Sequence, residues 1–222
     1  MATGTATVKS IQSGDSVIVV GKQTDPKRSP PELKLSLSST VAPKLAMKSA
    51  AQQTDDEPWA WECREALREL VIGKAVDFKV DYVIGDRQYA TIKIGGKNVS
   101  EYLIGNGLAK VMPGKNASPE LEALQAAEGD AMAKHVGQHG GNGGKGVPRS
   151  IQYSTDEAFD GKGFFEANKK KNLPCVVEWV RDAGHCRVML LPGGTVKNYT
   201  LVGCNFSGLQ VEGFKRDPDT RE

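Results

Sequence analysis

The sequence predicts a mixed β/α fold whose first part is a five-stranded OB-fold barrel. Five short segments of alternating or apolar residues precede residue 136, and turn-forming or polar residues separate most of them. A segment with helical spacing lies between the third and the fourth of these strands. Five short strands with a helix at that point follow the order of an OB-fold barrel.

The strands are predicted from residue alternation. Leu33, Leu35 and Leu37 alternate with polar residues, which predicts a half-buried third strand. A Ser-Gly-Asp turn joins the first two strands, and a polar loop over residues 21–31 leads to the third. The other four strands are predicted at residues 8–11, 16–20, 76–80 and 89–94.

The first helix is predicted between Asp55 and Gly73. Either Asp55 or Asp56 can cap its start, Pro58 suits its first turn and Gly73 suits its end. A second, short helix is expected at residues 99–104. The residues of the first helix that fall near helical spacing and should face the core are Trp59, Cys63, Ala66, Leu67 and Leu70.

A third helix and a glycine-rich segment end the first domain. Ser118 is a good N-cap for a helix that runs to about Lys134. The segment VGQHGGNGGKGVP that follows has almost no apolar side chains and is typical of a flexible linker. We therefore expect a complete domain at residues 1–136 and a linker at residues 137–148.

Residues 149–222 repeat the beginning of the same pattern. A short helix is expected at residues 155–168, followed by strands at 176–180, 186–191 and 196–202. Three strands cannot close a barrel, and open strand edges favour unwanted pairing. We therefore expect a truncated second OB-fold barrel, completed in the native protein or by a second chain.

Composition sets only broad limits on function. The net charge is +2 and the isoelectric point is about 8.3, which neither requires nor excludes a nucleic-acid partner. No apolar run has the length of a membrane span, so we expect no membrane association. The widely spaced cysteines predict reduced thiols and a cytoplasmic or nuclear location, although two of them, Cys186 and Cys204, could face each other across strands.

Several segments resemble a known family. Residues 86–111, DRQYATIKIGGKNVSEYLIGNGLAKV, closely resemble the second half of a staphylococcal nuclease domain. Residues 30–46, 55–74 and 177–194 extend the likeness to the Tudor staphylococcal nuclease family, whose members carry several nuclease-like repeats. The resemblance implies OB-fold barrels of the staphylococcal nuclease type. It also implies roles in RNA binding, RNA-silencing complexes, RNA decay or transcriptional coactivation.

The resemblance also assigns candidate catalytic positions. Residues 13–17, Ser-Gly-Asp-Ser-Val, match the motif that supplies a calcium-ligating aspartate, which places Asp15 at that position. Arg87 matches an arginine that helps to hold the scissile phosphate. Ser36, Val41 and Lys44 occupy the positions of a second arginine, a second calcium aspartate and the glutamate base.

Only two of these five positions therefore keep their residue, Asp15 and Arg87. Calcium prefers several oxygen ligands, so one carboxylate does not make a calcium site. No glutamate occurs between Glu32 and Glu57, so no shift of the alignment restores the base. In the second domain the three corresponding positions hold Thr200, Asn205 and Gly208. We expect no conventional calcium nuclease, and Ca²⁺ as a cofactor only if some nuclease activity survives.

OB-folds bind nucleic acid across a barrel face with cations and stacking aromatic residues. Tyr89 is the main aromatic candidate, and Tyr82 is the second. Each residue also has a structural explanation: Asp15 suits a turn, Arg87 suits a solvated hairpin and Lys44 suits a surface loop. The candidate cations are Lys34, Lys44, Arg87, Lys93 and Lys97.

Three functions remain open at this point. The first is an RNA-binding scaffold that contacts single- or double-stranded RNA, protein partners in ribonucleoprotein or silencing complexes, and other repeats of its own chain. The second is a residual calcium-dependent ribonuclease that uses Asp15, Arg87 and composite sites between repeats. The third is a module that binds only proteins.

Overall fold

The computed structural model describes residues 2–46, 54–112, 114, 116–140, 146, 159–182, 185–191 and 204–205. It divides the chain into two compact units, residues 1–148 and residues 149–222. In these described ranges, no helix combines the length and the hydropathy that crossing a bilayer requires.

The first unit is a closed five-stranded barrel. Its sheet order is β3-β2-β1-β5-β6, and a parallel pairing between β3 and β6 joins the two ends. This closure confirms the predicted OB-fold order. The strands of this unit are β1 Thr3–Ser13, β2 Ser16–Val20, β3 Glu32–Leu37, β4 Thr40–Val41, β5 Ala75–Ile84, β6 Arg87–Ile94, β7 Lys97–Asn98 and β8 Lys110–Val111.

Side-chain alternation fills the barrel. Leu35 and Leu37 on β3 are fully buried, as the predicted half-buried strand requires. Helix α1, Ala60–Val71, covers one end of the barrel with Cys63 and Leu67 in the same core cluster. Burying one such leucine contributes about 1.5–3 kcal/mol, so this cluster is a main source of stability.

Helix α1 begins later than the sequence predicted. Its N-cap is Trp59, with φ 69 and ψ 3 and no side-chain capping bond, so neither Asp55 nor Asp56 is the cap. The Asp56 carboxylate instead accepts a hydrogen bond of 2.6 Å from the backbone N–H of Ala46. The prediction that Trp59 lies on the helical core face was wrong, because Trp59 precedes the helix in a left-handed backbone conformation.

The other two helices of the first unit lie close to their predicted positions. Helix α2, Val99–Gly105, starts at Asn98, whose side chain accepts a hydrogen bond from the N–H of Ser100. Helix α3, Leu121–Ala133, follows a tight turn in which the Ser118 hydroxyl accepts from the N–H of Glu120. The Ser118 side chain therefore bonds within the turn that precedes α3, and Glu120 is the N-cap of the helix.

The start of the glycine-rich segment packs on the first unit. Gly137–His139 form a 3-10 turn. The backbone N–H of Gln138 donates to the carbonyl of Gly107 at 2.8 Å, and its side chain donates to the carbonyl of Leu108 at 2.8 Å. The described beginning of the expected linker is thus tied to the chain between α2 and β8.

The second unit contains a helix and a three-stranded sheet. Helix α4, Gly161–Asn168, is capped by Asp160, and the sheet order is β11-β10-β9. Cys186 and Cys204 are register partners between β10 and β11. The third strand predicted at 196–202 lies outside the described residues, as do Thr200 and Gly208. The strands are β9 Cys175–Asp182, β10 His185–Leu190 and β11 Cys204–Asn205.

We predict that Gly14→Ala destabilises the first unit. A Cβ at Gly14 would lie 2.6 Å from Cys63 Sγ and 2.7 Å from the Ala42 Cβ, both in the packed core. Overpacking of this kind costs about 1–3 kcal/mol in the free energy of unfolding, measured by chemical denaturation. Gly129→Ala on α3 is the control, because its Cβ meets nothing within 4 Å. Equal effects of the two substitutions would contradict this packing.

Candidate nucleic-acid interface

Asp15 fixes the turn between β1 and β2. One carboxylate oxygen accepts from the Ser13 hydroxyl at 2.5 Å, and the other accepts from the N–H of Ala42 at 3.1 Å. Its backbone carbonyl accepts from the N–H of Leu37 at 2.8 Å. Asp15 therefore joins this turn to the end of β3 and to the chain after β4.

The residues around Asp15 do not fit a calcium site. Val41, at the position of the second aspartate, offers no side-chain oxygen and is 40% exposed. In the described part of the chain, no three His, Cys, Asp or Glu side chains converge as metal ligands would. Calcium takes six to eight oxygen ligands, and both oxygens of Asp15 already accept hydrogen bonds from protein donors.

Lys44 occupies the position of the family's glutamate base, and hydrogen bonds of its backbone to Glu57 fix the loop there. The N–H of Lys44 donates to a Glu57 carboxylate oxygen at 2.7 Å, and the Lys44 carbonyl accepts from the N–H of Glu57 at 2.8 Å. A cavity of about 410 Å³ lies beside this loop, with Val41, Pro43 and Trp59 among its lining residues. Lys44 is not among the lining residues of this cavity, whose walls combine apolar side chains with Glu57, Lys110 and Gln138.

The thiol of Cys63 is buried beneath the β1–β2 turn and is unreactive. Its Sγ is 3.6 Å from the carbonyl of Gly14. Burial, followed by the nearby charges of Asp15 and Glu62, raises the pKa of the thiol to about 12. The thiolate is the reactive form of cysteine, so this side chain supplies no nucleophile at neutral pH.

Two of the predicted binding cations, Lys34 and Arg87, are exposed on the outside of β3 and β6. On β3, Leu35 and Leu37 are buried whereas Lys34 is exposed; on β6, Ala90 is buried whereas Arg87 is exposed. The alternation shows which positions point outward. We call this surface the outer face, and its residues are Lys34, Ser36, Ile84, Arg87 and Tyr89.

Strand register brings three of the predicted binding residues together on the outer face. Ser36 is opposite Tyr89 in the parallel β3–β6 pairing, and Tyr89 is opposite Tyr82 in the antiparallel β5–β6 pairing. Continuing the parallel register by one residue places Lys34 opposite Arg87. Within the described ranges, neither Lys34 nor Arg87 makes an ion pair or a side-chain hydrogen bond.

A bulge in β5 sets the buried ring of Tyr82 against Tyr89. The register shifts between Val80 and Tyr82, and the Tyr82 ring stacks on Tyr89 with centroids 4.8 Å apart and planes 19° apart. The displaced Asp81 accepts hydrogen bonds from the Ser38 hydroxyl at 2.5 Å and the Thr91 hydroxyl at 2.7 Å. Tyr82 itself is buried, as alternation along β5 predicts, and its hydroxyl accepts a hydrogen bond from the N–H of Ser39 at 3.3 Å.

Lys93 and Lys97 lie apart from this cluster. Lys93 is six positions along β6 from Arg87, which corresponds to about 20 Å. Its ammonium pairs with Glu120 at 2.6 Å. The hydrogen bond to Lys93, with a further one from Asn98, holds the pKa of the Glu120 carboxyl below its usual range. Lys97 is exposed on β7, beyond the hairpin that ends β6.

The closed barrel, with α1 between its third and fourth strands and α2 and α3 after them, is a staphylococcal nuclease-type OB-fold domain. The profile of the family "Staphylococcal nuclease homologue" matches residues 34–138, and this domain of the chain belongs to that family. The chain as a whole is homologous to the Tudor staphylococcal nuclease proteins.

Three curated relatives show the extent of this homology. "Ribonuclease TUDOR 2" of Arabidopsis thaliana is 34% identical over 100% of this chain and 24% of its own length. "Ribonuclease TUDOR 1" of the same plant is 35% identical, covering 83% of this chain and 20% of its own length. "Staphylococcal nuclease domain-containing protein 1" of Drosophila melanogaster is 32% identical, covering 96% and 23% respectively. The chain thus spans about a quarter of the length of these relatives or somewhat less.

These comparisons confirm the predicted family and fold. They also support nuclease-type and RNA-binding chemistry for the family as a whole. Nuclease domains of this fold generally depend on calcium, whereas the described residues around Asp15 do not provide a calcium ligand set. The family fold is therefore present without a calcium ligand set among the described residues.

We predict that Asp15 stabilises the fold through its hydrogen bonds and that calcium does not contribute to this stabilisation. Asp15→Ala leaves the Ser13 hydroxyl and the Ala42 N–H without their acceptor, which should lower the free energy of unfolding by about 1–3 kcal/mol. Thermal unfolding in calcium and in EDTA should give the same Tm for each protein. A calcium-dependent rise in Tm that Asp15→Ala abolishes would show that a metal site exists.

We predict that the Lys93–Glu120 pair stabilises the fold only above the acidic range. The pKa of Glu120 is lowered in the folded state, so its contribution is present near neutral pH and is lost as the pH falls through that lowered pKa. Glu120→Gln should therefore be less stable than the parent at pH 7 and equally stable in acid, by denaturant titration. Glu122→Gln on the same helix, as control, should show no such convergence.

Proposed function

We propose that this chain is an RNA-binding scaffold derived from a nuclease, which holds RNA on the outer face of its first barrel and does not cut it. The proposal rests on which charged residues the chain has and which of the expected ones it lacks. Lys34 and Arg87 stay unpaired beside Tyr89, whereas Val41 and Lys44 replace the carboxylates that hydrolysis needs. The surface thus keeps its attraction for phosphate after losing its catalytic groups.

The binding step follows from the chemistry of the face. The Arg87 guanidinium can donate two parallel hydrogen bonds to a phosphate, and Lys34 adds a second positive charge in the neighbouring strand. Hydrolysis would further require a base to deprotonate water, and an ammonium at Lys44 cannot accept that proton. Loss of a general base alone slows such a reaction by about 10²–10⁴-fold.

The proposed setting is a larger protein. The relatives are about four times as long as this chain, so other repeats of the same polypeptide and protein partners are expected to share the RNA. We propose action within ribonucleoprotein or silencing complexes, in RNA decay or in transcriptional coactivation. The proposed location is the cytoplasm, with the nucleus as a second compartment.

A residual ribonuclease is the second candidate. Two relatives carry the name ribonuclease, and this chain keeps Arg87 and Asp15 at their family positions. Cleavage would then need carboxylates from neighbouring repeats, together with Ca²⁺. The two candidates differ in one observable property, which is whether bound RNA stays intact.

We predict that Arg87→Ala weakens RNA binding about tenfold at low salt, since a charge-assisted contact is worth roughly 1.5–3 kcal/mol. The slope of log K against log salt should become shallower by about 0.7, the value of one single-strand phosphate contact. Fluorescence anisotropy with labelled single-stranded RNA measures both quantities. Lys97→Ala is the matched control, because Lys97 is an exposed cation away from the outer face.

Denaturing gels of the same mixtures, run in calcium and in EDTA, distinguish the candidates. Intact RNA in both conditions supports the scaffold, and calcium-dependent cleavage that Asp15→Ala abolishes supports the ribonuclease. Absence of binding at low salt would favour a module that binds only proteins.

A further inference from the structure

We propose that Ser29, in the loop between β2 and β3, is a phosphorylation site for a proline-directed protein kinase. The chain contains two Ser-Pro dipeptides, Ser29-Pro30 and Ser118-Pro119, and no Thr-Pro dipeptide. The structure places the two serines differently, because Ser29 is exposed whereas Ser118 is only 5% exposed. This modification does not depend on the proposed binding of RNA.

The loop that carries Ser29 is anchored on both sides of it. At the base of the loop, the N–H of Gly21 donates to the carbonyl of Pro31 at 2.8 Å. In the turn before Ser29, the N–H of Arg28 donates to the carbonyl of Asp25 at 3.1 Å. These bonds end at Arg28 and begin again at Pro31, so Ser29 lies in a short segment between two fixed points.

Ser29 can enter a kinase site without breaking a bond of the fold. Within the described ranges, its hydroxyl, its N–H and its carbonyl make no hydrogen bond. Residues 29–31 form neither a helix nor a strand, and a residue before a proline favours extended backbone. An extended segment with unpaired backbone groups is the form in which many enzymes and binding domains take up a peptide.

Pro30 determines which class of kinase would act on this serine. Proline has no backbone N–H and carries a rigid apolar ring. A kinase pocket that holds the ring and offers no acceptor favours proline, because another residue would leave its N–H buried without a partner. Thr24 is exposed in the same loop, but Asp25 follows it, so this class of kinase should leave Thr24 unmodified.

Ser118 has the same dipeptide but is built into the first unit. Its hydroxyl lies 3.2 Å from the hydroxyl of Thr91 and accepts from the N–H of Glu120 at 3.1 Å. Its own N–H donates to the hydroxyl of Ser39 at 2.7 Å. Phosphorylation of Ser118 would therefore require the chain before α3 to open locally.

The reaction transfers the γ-phosphoryl group of ATP to Ser29. The Ser29 Oγ forms a bond to the γ-phosphorus, the bond from that phosphorus to the bridging oxygen breaks, ADP leaves, and the hydroxyl proton passes to the carboxylate base of the kinase. The phosphate adds a charge of about −1.5 to −2 at neutral pH. Residues 21–31 carry one carboxylate, Asp25, and three cations, which are Lys22, Lys27 and Arg28. The phosphate therefore roughly neutralises the net charge of this loop.

The test incubates the folded 222-residue chain with ATP, Mg²⁺ and two purified proline-directed kinases in separate reactions, one cyclin-dependent and one mitogen-activated. Peptide mass spectrometry locates the phosphate. With at least one kinase we expect close to one phosphate per chain, at Ser29, and none at Thr24 or Ser118. Ser29→Ala should abolish incorporation, and Pro30→Ala should slow it about tenfold or more, as loss of a group from an apolar pocket does.

Two controls separate the effect of exposure from the effect of sequence. A synthetic peptide of residues 112–124 should be phosphorylated at Ser118, because it presents that dipeptide outside the fold. Ser29→Thr should keep incorporation, because it retains a hydroxyl before Pro30. No phosphate at Ser29 with either kinase, full incorporation in Ser29→Ala or Pro30→Ala, or modification of Ser118 in the folded chain as fast as Ser29 would each overturn this inference. An unmodified peptide would overturn the role assigned to burial.

Discussion

The parallel pairing of β3 with β6 is the constraint on which the first unit depends. It closes the barrel, and its register sets Ser36 beside Tyr89 and brings Lys34 opposite Arg87. A slip of one residue would turn the outward side chains into the core and the leucines of β3 into solvent. Asp81 helps to hold this register, because its carboxylate accepts one hydrogen bond from Ser38, just beyond β3, and one from Thr91 in β6.

The residues proposed to bind RNA and the positions expected to hold the catalytic carboxylates lie on different parts of this barrel. The cations of the outer face belong to strands β3 and β6, whose register the whole fold maintains. The expected base and the second metal ligand belong to the chain at and after β4, where Val41 and Lys44 are held mainly by backbone contacts. Replacement of side chains in that loop leaves the barrel intact. The proposed loss of the catalytic carboxylates therefore leaves the cations of the outer face in place.

The sequence predicted the barrel because strand alternation and helix order are local signals. The buried leucines of β3 and the positions of α2 and α3 illustrate this. Long-range contacts explain what it did not predict. The Asp56 carboxylate accepts from the N–H of Ala46, and a bulge in β5 pairs Tyr82 with Tyr89. The sequence indicated Lys93 as a free cation. The fold shows that its ammonium nitrogen lies 2.6 Å from a Glu120 carboxylate oxygen.

The buried thiol of Cys63 has a consequence for how this barrel can be observed. Its side chain is inaccessible, and its raised pKa keeps it protonated, so alkylating reagents reach it only when α1 separates from the β1–β2 turn. The rate at which Cys63 is modified therefore reports the population of the locally open state. In the same chain, the exposed Cys175 serves as an internal reference for reagent activity. The chain thus carries a natural probe of its own local unfolding equilibrium, readable by mass without an introduced label.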